Sequence, residues 1–156
     1  MSIKILTLTT LVIYSVIVSQ SFMYILSLKQ VQLSLDANTY MSVRKLIDTY
    51  MRANFTSVVY AALIANLVLV ISTIKNPSSL LFITAAIGFI ALIVDALLTL
   101  KGNLPVNDII NTWTPDHYPT DWADFRAKWF SIFQYRQIVN IIGFVSLLIG
   151  AVFGSK

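Results

Sequence analysis

Four apolar segments alternate with polar segments along the chain, and their lengths predict four membrane-spanning helices. They cover approximately residues 5–28, 54–74, 80–100 and 137–154. A helix crosses the hydrocarbon core of a bilayer with about 20 apolar residues. The first segment has no charge between Lys4 and Lys29, and its length favours a retained helix over a cleaved signal peptide. We therefore predict an all-α fold, an antiparallel four-helix bundle forming one transmembrane domain over residues 1–156.

The polar segment between the first two spans has apolar side chains at helical spacing, so it predicts a helix that Asp36 or Asn38 can cap. Its apolar face comprises Tyr40, Val43, Ile47, Tyr50, Met51 and Phe55, and its polar face comprises Arg44, Lys45, Asp48 and Arg52. Two interpretations fit this pattern equally. The helix either lies in the headgroup region of the membrane or extends the second span.

The composition excludes several classes of protein. Only 12% of the residues are charged, against about 25% in soluble domains, so the chain cannot cover itself with a water-compatible surface. Because there is no cysteine, no glutamate and a single histidine, one copy cannot build a thiolate, two-histidine or Glu-x-x-His metal site. We predict no metal and no cofactor. The net charge of +4 fits basic residues beside anionic headgroups, and we predict no nucleic-acid partner.

The distribution of basic residues predicts the orientation. Eight lie on the side of the two long connections: Lys29, Arg44, Lys45, Arg52, Lys101, Arg126, Lys128 and Arg136. Three lie on the side of the termini: Lys4, Lys75 and Lys156. The positive-inside rule then places the long connections in the cytoplasm. We expect a multi-pass protein of the bacterial inner membrane.

The segment 102–136 has the most varied chemistry in the chain, with all three tryptophans, the only histidine and three of the four prolines. The pattern Asn-x-Pro-x-Asn at 103–107 predicts a helix break at the membrane surface. Its two amides, on Asn103 and Asn107, either cap the following helix or present donors and acceptors to a ligand. A further helix is predicted to start at Trp122, capped by Thr120 or Asp121, and the loop before it should be structured.

Asp95 is the one ionisable residue inside the third span. A charge in a span usually faces a partner or water. An ion pair with Arg136 or Arg52 is one interpretation, and a proton-transfer role is the other. Trp129 and Arg136 share one helix face, because they are seven residues apart. The tryptophans fit either an interfacial aromatic belt or a surface that contacts a ligand.

This segment resembles the anthrone oxygenase-like family of small four-helix membrane proteins, many of them known only as a domain of unknown function. The family pattern is Asn-x-Pro-x-Asn, then Trp-x-x-Tyr-Arg-x-x-Trp, then an arginine at the start of the last span. The matching positions are Asn103, Pro105, Asn107, Trp122, Arg126, Trp129 and Arg136. The sequence departs from the pattern at Phe125, where tyrosine is common, and at Phe133, where a polar residue is expected.

The resemblance implies oxidation of an anthrone-like polycyclic phenol by dioxygen, without metal or flavin. Asp95 or His117 would then be the base that forms the electron-rich enolate. Arg136, Asn103 and Asn107 would hold the oxygens. The substrate-binding surface would comprise Trp122, Trp129 and Arg126, with the tryptophans stacking on the rings.

A second hypothesis needs no chemistry. The chain is then a non-catalytic subunit of a larger membrane complex, or a module that binds a lipid or quinone. Its expected partners under either hypothesis are the lipid bilayer and a hydrophobic small molecule, with other membrane subunits or a second copy as further candidates. A transporter or channel is a weaker interpretation, because the sequence has no internal repeat.

Overall fold

The computed structural model describes residues 2–115 and 117–154, and this part of the chain folds as four long helices. They are α1 (Ile3–Leu33), α2 (Ala37–Thr73), α3 (Leu80–Asn111) and α4 (Trp122–Phe153). Each is long and apolar enough to cross a membrane. The predicted all-α four-helix bundle is confirmed, and the chain is a multi-pass membrane protein.

The helices pack around small residues of α4. The most extensive interface joins α3 to α4, while α1 packs against α2 and α4. A Cβ atom added at Gly143 would collide with the hydroxyl of Tyr14 on α1 and lie 2.6 Å from the Cβ of Ala91 on α3. Glycine is therefore what lets three helices meet at this level.

All four helices extend beyond the predicted spans, and they do so at the end of the bundle that has the two long connections. We call this end, formed by residues 24–54 and 99–136, the extended end. The helix predicted after the first span is present and runs directly into the second span, so it is an extension of that span. As predicted, Asp36 caps it, accepting from the amides of Asn38 and Thr39. The Thr39 hydroxyl and these amides hold the pKa of Asp36 below its ordinary value.

A wide π-helical turn lies in each of α1, α2 and α3, at Tyr24–Leu28, Met51–Phe55 and Thr99–Asn103. The predicted helix break at 103–107 is wrong. The helix continues through Pro105, and in the π-helical turn before it the amide of Leu104 bonds to the carbonyl of Thr99, five residues back. Single π-helical turns inside α-helices often occur at functional sites.

An aromatic core fills the extended end, separate from the aliphatic core of the spans. Trp129 and Phe133 stack at its centre with ring centroids 5.0 Å apart. Trp113 is buried against Phe125, which fixes the connection between α3 and α4 to the bundle. The predicted structured loop is therefore present, although Asp116 lies outside the described residues.

Candidate functional site

A cavity of about 360 Å³ lies where the spans meet the extended end. All four helices line it, and α2 and α3 supply most of its wall. The lining residues Thr56, Tyr60 and Leu100 are exposed, so the cavity opens at the surface between α2 and α3. Five residues singled out in the sequence line this cavity together: Asp95, Asn103, Asn107, Trp129 and Arg136.

A buried hydrogen-bonded chain joins four of these residues. Nε of Arg136 donates to Oδ1 of Asp95 over 2.7 Å, and Nη1 donates to Oδ1 of Asn103 over 3.1 Å. The amide of Asn103 in turn donates to the carbonyl of Trp129 over 2.9 Å. The predicted ion pair of Asp95 is confirmed with Arg136, whereas Arg52 binds other carboxylates. Both polar atoms of the Asn103 side chain are thus used within the protein.

A second buried carboxylate, that of Asp48, ties the extensions of α2 and α3 together. It accepts from Nδ2 of Asn107 over 2.7 Å and from Nδ2 of Asn111 over 2.8 Å. Nε of Arg52 donates to it over 2.9 Å, and Nη2 of Arg52 reaches the exposed Asp108 over 2.6 Å. Asp48 lines the cavity and is therefore the second carboxylate, besides Asp95, in its wall.

Arg44 is the most unusual charge in the cavity wall. It is only 3% exposed, and its guanidinium lies over the ring of Trp129, 4.3 Å from the centroid. Its hydrogen bond to the hydroxyl of Tyr24 is long, at 3.4 Å, and its Nε has no partner in the part of the chain that the structure describes. Within residues 2–115 and 117–154, no carboxylate pairs with it.

The polar face predicted for this helix is therefore wrong. Arg44 and Asp48 are buried, while Tyr50, placed on the apolar face, is 66% exposed. The sequence contains the signal for the correct face in the four-residue spacing of Tyr40, Arg44 and Asp48, which puts them in one row.

Three predicted site residues, two for substrate binding and one as the base, lie away from the cavity. Arg126 donates to the carbonyls of Gln32, Leu33 and Leu35 and so caps the C-terminal end of α1. Its guanidinium lies over the ring of Trp122, 4.5 Å from the centroid. His117 is exposed, and its backbone pairs with that of Thr114 in the connection before α4. The structure thus separates Trp122, Arg126 and His117 from Asp95 and Arg136.

The described residues contain no group of three His, Cys, Asp or Glu side chains placed to hold a metal ion. Comparisons of the chain with protein-family models, curated proteins and solved structures found no match.

Proposed function

We propose that the chain binds a hydrophobic ring-bearing molecule with a phenol or quinone oxygen in the cavity. The observation that carries this proposal is a largely apolar cavity lined by Arg44, Asn107 and Trp129, each of which has a buried polar atom without a hydrogen-bond partner among the described residues. Small-molecule sites are typically concave and apolar, with a few polar groups that fix the orientation of the ligand. The volume of about 360 Å³ lies within the usual range of such sites.

The position of the opening supports a ligand that is taken up from the membrane. The exposed wall residues Thr56, Tyr60 and Leu100 fall inside the predicted spans 54–74 and 80–100. A molecule dissolved in the bilayer meets this opening without first entering water. Its polar end then reaches the buried charges of the extended end.

Oxidation of the bound molecule by dioxygen is the further step that the family resemblance implies. In such a reaction a methylene group opposite a ring carbonyl loses two hydrogens and gains one oxygen atom, and the second oxygen atom leaves as water. A base, an oxyanion partner and a dry site favour this chemistry. Asp95 and Asp48 are the carboxylates of the cavity, but both are held by arginines and amides. The geometry therefore supports binding more directly than turnover.

Binding and turnover are tested separately on protein purified in mild detergent. Titration with 2-methoxy-1,4-naphthoquinone should quench tryptophan fluorescence in a saturable manner. Oxygen uptake on addition of anthrone, with formation of anthraquinone, would show that the protein also oxidises the bound molecule. Binding without oxygen uptake would support the hypothesis that the chain is a non-catalytic binding module. No saturable binding, with a protein partner present in stoichiometric amount, would favour the subunit hypothesis.

We also propose that the extended end faces the cytoplasm of a bacterial cell, because it has most of the basic residues. The absence of cysteine makes single-cysteine labelling direct. Ser78→Cys lies in the short connection between α2 and α3, and Ala123→Cys lies at the start of α4; both positions are accessible at the surface. A membrane-impermeant maleimide applied to intact cells should label Ser78→Cys only. The opposite pattern would reverse the orientation.

A further inference from the structure

We infer that Arg44 binds an ionised oxygen of the ligand, so that the cavity selects phenolates and enolates over neutral quinones of the same size. This inference rests on the proposed binding function and names the class of ligand. Arg44 was not among the residues that the family resemblance pointed to. It follows from the hydrogen bonds and charges around its side chain.

The side chain of Arg44 has hydrogen-bonding capacity that the described residues leave unsatisfied. A guanidinium has five N–H donors, yet this one makes a single long hydrogen bond, to Tyr24. Buried polar groups in proteins normally have partners. A ligand oxygen in the cavity would supply the acceptor that the protein does not.

The two carboxylates of the cavity wall are bound to groups other than Arg44. Asp95 pairs with Arg136, and Asp48 accepts from Arg52, Asn107 and Asn111. Neither carboxylate makes an ion pair with the guanidinium of Arg44, which stays buried against Trp129. A buried charge is costly unless an opposite charge and hydrogen bonds compensate it. An anionic oxygen provides both, whereas a neutral carbonyl provides only the hydrogen bond.

Two other residues of the cavity wall, Asn107 and Trp129, each have a buried polar atom without a partner among the described residues. Asn107 must turn its NH2 group toward Asp48, because a carboxylate only accepts hydrogen bonds. Its Oδ1 is therefore left as an acceptor without a partner, while Nε1 of Trp129 is a donor without one. The ring of Trp129 stacks on Phe133, and the guanidinium of Arg44 lies over it. A ligand with an ionised oxygen and a hydroxyl offers an acceptor to Arg44 and Trp129 and a donor to Asn107, the three groups of the cavity wall that need them.

A matched pair of probes tests the charge preference. In 2-hydroxy-1,4-naphthoquinone the hydroxyl is ionised at neutral pH, whereas 2-methoxy-1,4-naphthoquinone is neutral and of similar size. Hydrogen bonds to charged groups are the stronger class, so the purified protein should bind the ionised probe about tenfold more tightly or better. Arg44→Gln should abolish the preference. Lys101→Gln, an equal loss of charge at an exposed position of α3, should preserve it.

The outcomes separate this inference from the proposed function. Equal affinity of the wild-type protein for both probes would overturn the selectivity and leave the binding function intact, and this comparison needs no variant to fold. Retention of the preference in Arg44→Gln would overturn the role of Arg44. Binding of neither probe would overturn the inference together with the proposed function.

Discussion

Arg136 and Asp95 form an ion pair of 2.7 Å between α4 and α3, and their side chains are only 11% and 3% exposed. The pair lies at the base of the cavity, at the level where the spans meet the extended end. It therefore joins α3 to α4 at this level. A charge left in this place without its partner has neither water nor lipid headgroups to stabilise it.

Removal of one charge of this pair should destabilise the bundle. Asp95→Asn leaves the guanidinium of Arg136 buried without an anion, and breaking a buried pair costs about 3–5 kcal/mol. The apparent melting temperature in detergent should fall markedly. The double variant Asp95→Asn with Arg136→Gln should recover much of that loss, because it buries no unpaired charge. A folded Asp95→Asn protein with wild-type stability but no turnover would instead favour the proton-transfer role.

The two carboxylates that bind Arg52 should differ in their effect on stability. Asp48 is buried and accepts from three side chains, so Asp48→Ala leaves the amides of Asn107 and Asn111 unsatisfied. An unsatisfied buried group costs about 1–3 kcal/mol. Asp108 is largely exposed, and Asp108→Ala should cost about 1 kcal/mol at most. Thermal unfolding of both variants compares their losses of stability. Equal losses would show that the hydrogen bonds of Asp48 do not hold α2 and α3 together.

The glycines of the bundle should also separate into sensitive and tolerant positions. Gly143→Ala would force its new methyl group against Tyr14 and Ala91, and overpacking of this kind costs about 1–3 kcal/mol. At Gly88 the nearest atoms, of Asn66 and Gly143, lie at an ordinary 3.5 Å, so Gly88→Ala should be nearly neutral. Melting temperatures in one detergent compare them directly. A stable Gly143→Ala protein would mean that α1, α3 and α4 meet less closely than described.

The sequence predicted the spans because their signal is strong and local. A run of about 20 apolar residues has few structural alternatives. The ion pair of Asp95 was predictable for a related reason: a charge in a span needs a partner, and antiparallel spans bring few candidates to its level. Even so, the residues alone did not separate Arg136 from Arg52.

The extended end was harder to predict, because its burial depends on tertiary packing. Arg44 and Asp48 are charged, and charged residues are normally assigned to the solvent face of an amphipathic helix. Asp48 is buried against amides of α3, 59 or more residues away in the sequence, and Arg44 is buried against Trp129 of α4. Likewise, Asn-x-Pro-x-Asn is typical of a helix break in isolation, whereas the structure has a π-helical turn before Pro105 and a helix that continues to Asn111. The residues of that turn, Thr99–Asn103, show no pattern that predicts it.

If the cavity that opens between α2 and α3 is a ligand site, a side chain that fills it should block binding, and this is the most direct test. Ala96→Phe places an aromatic ring in the cavity wall, whereas Ala61→Phe adds the same ring at an exposed position of α2. Binding of 2-hydroxy-1,4-naphthoquinone should weaken at least tenfold in Ala96→Phe and stay unchanged in Ala61→Phe, with both proteins eluting like the wild type in gel filtration. Unchanged affinity in a folded Ala96→Phe protein would contradict the account.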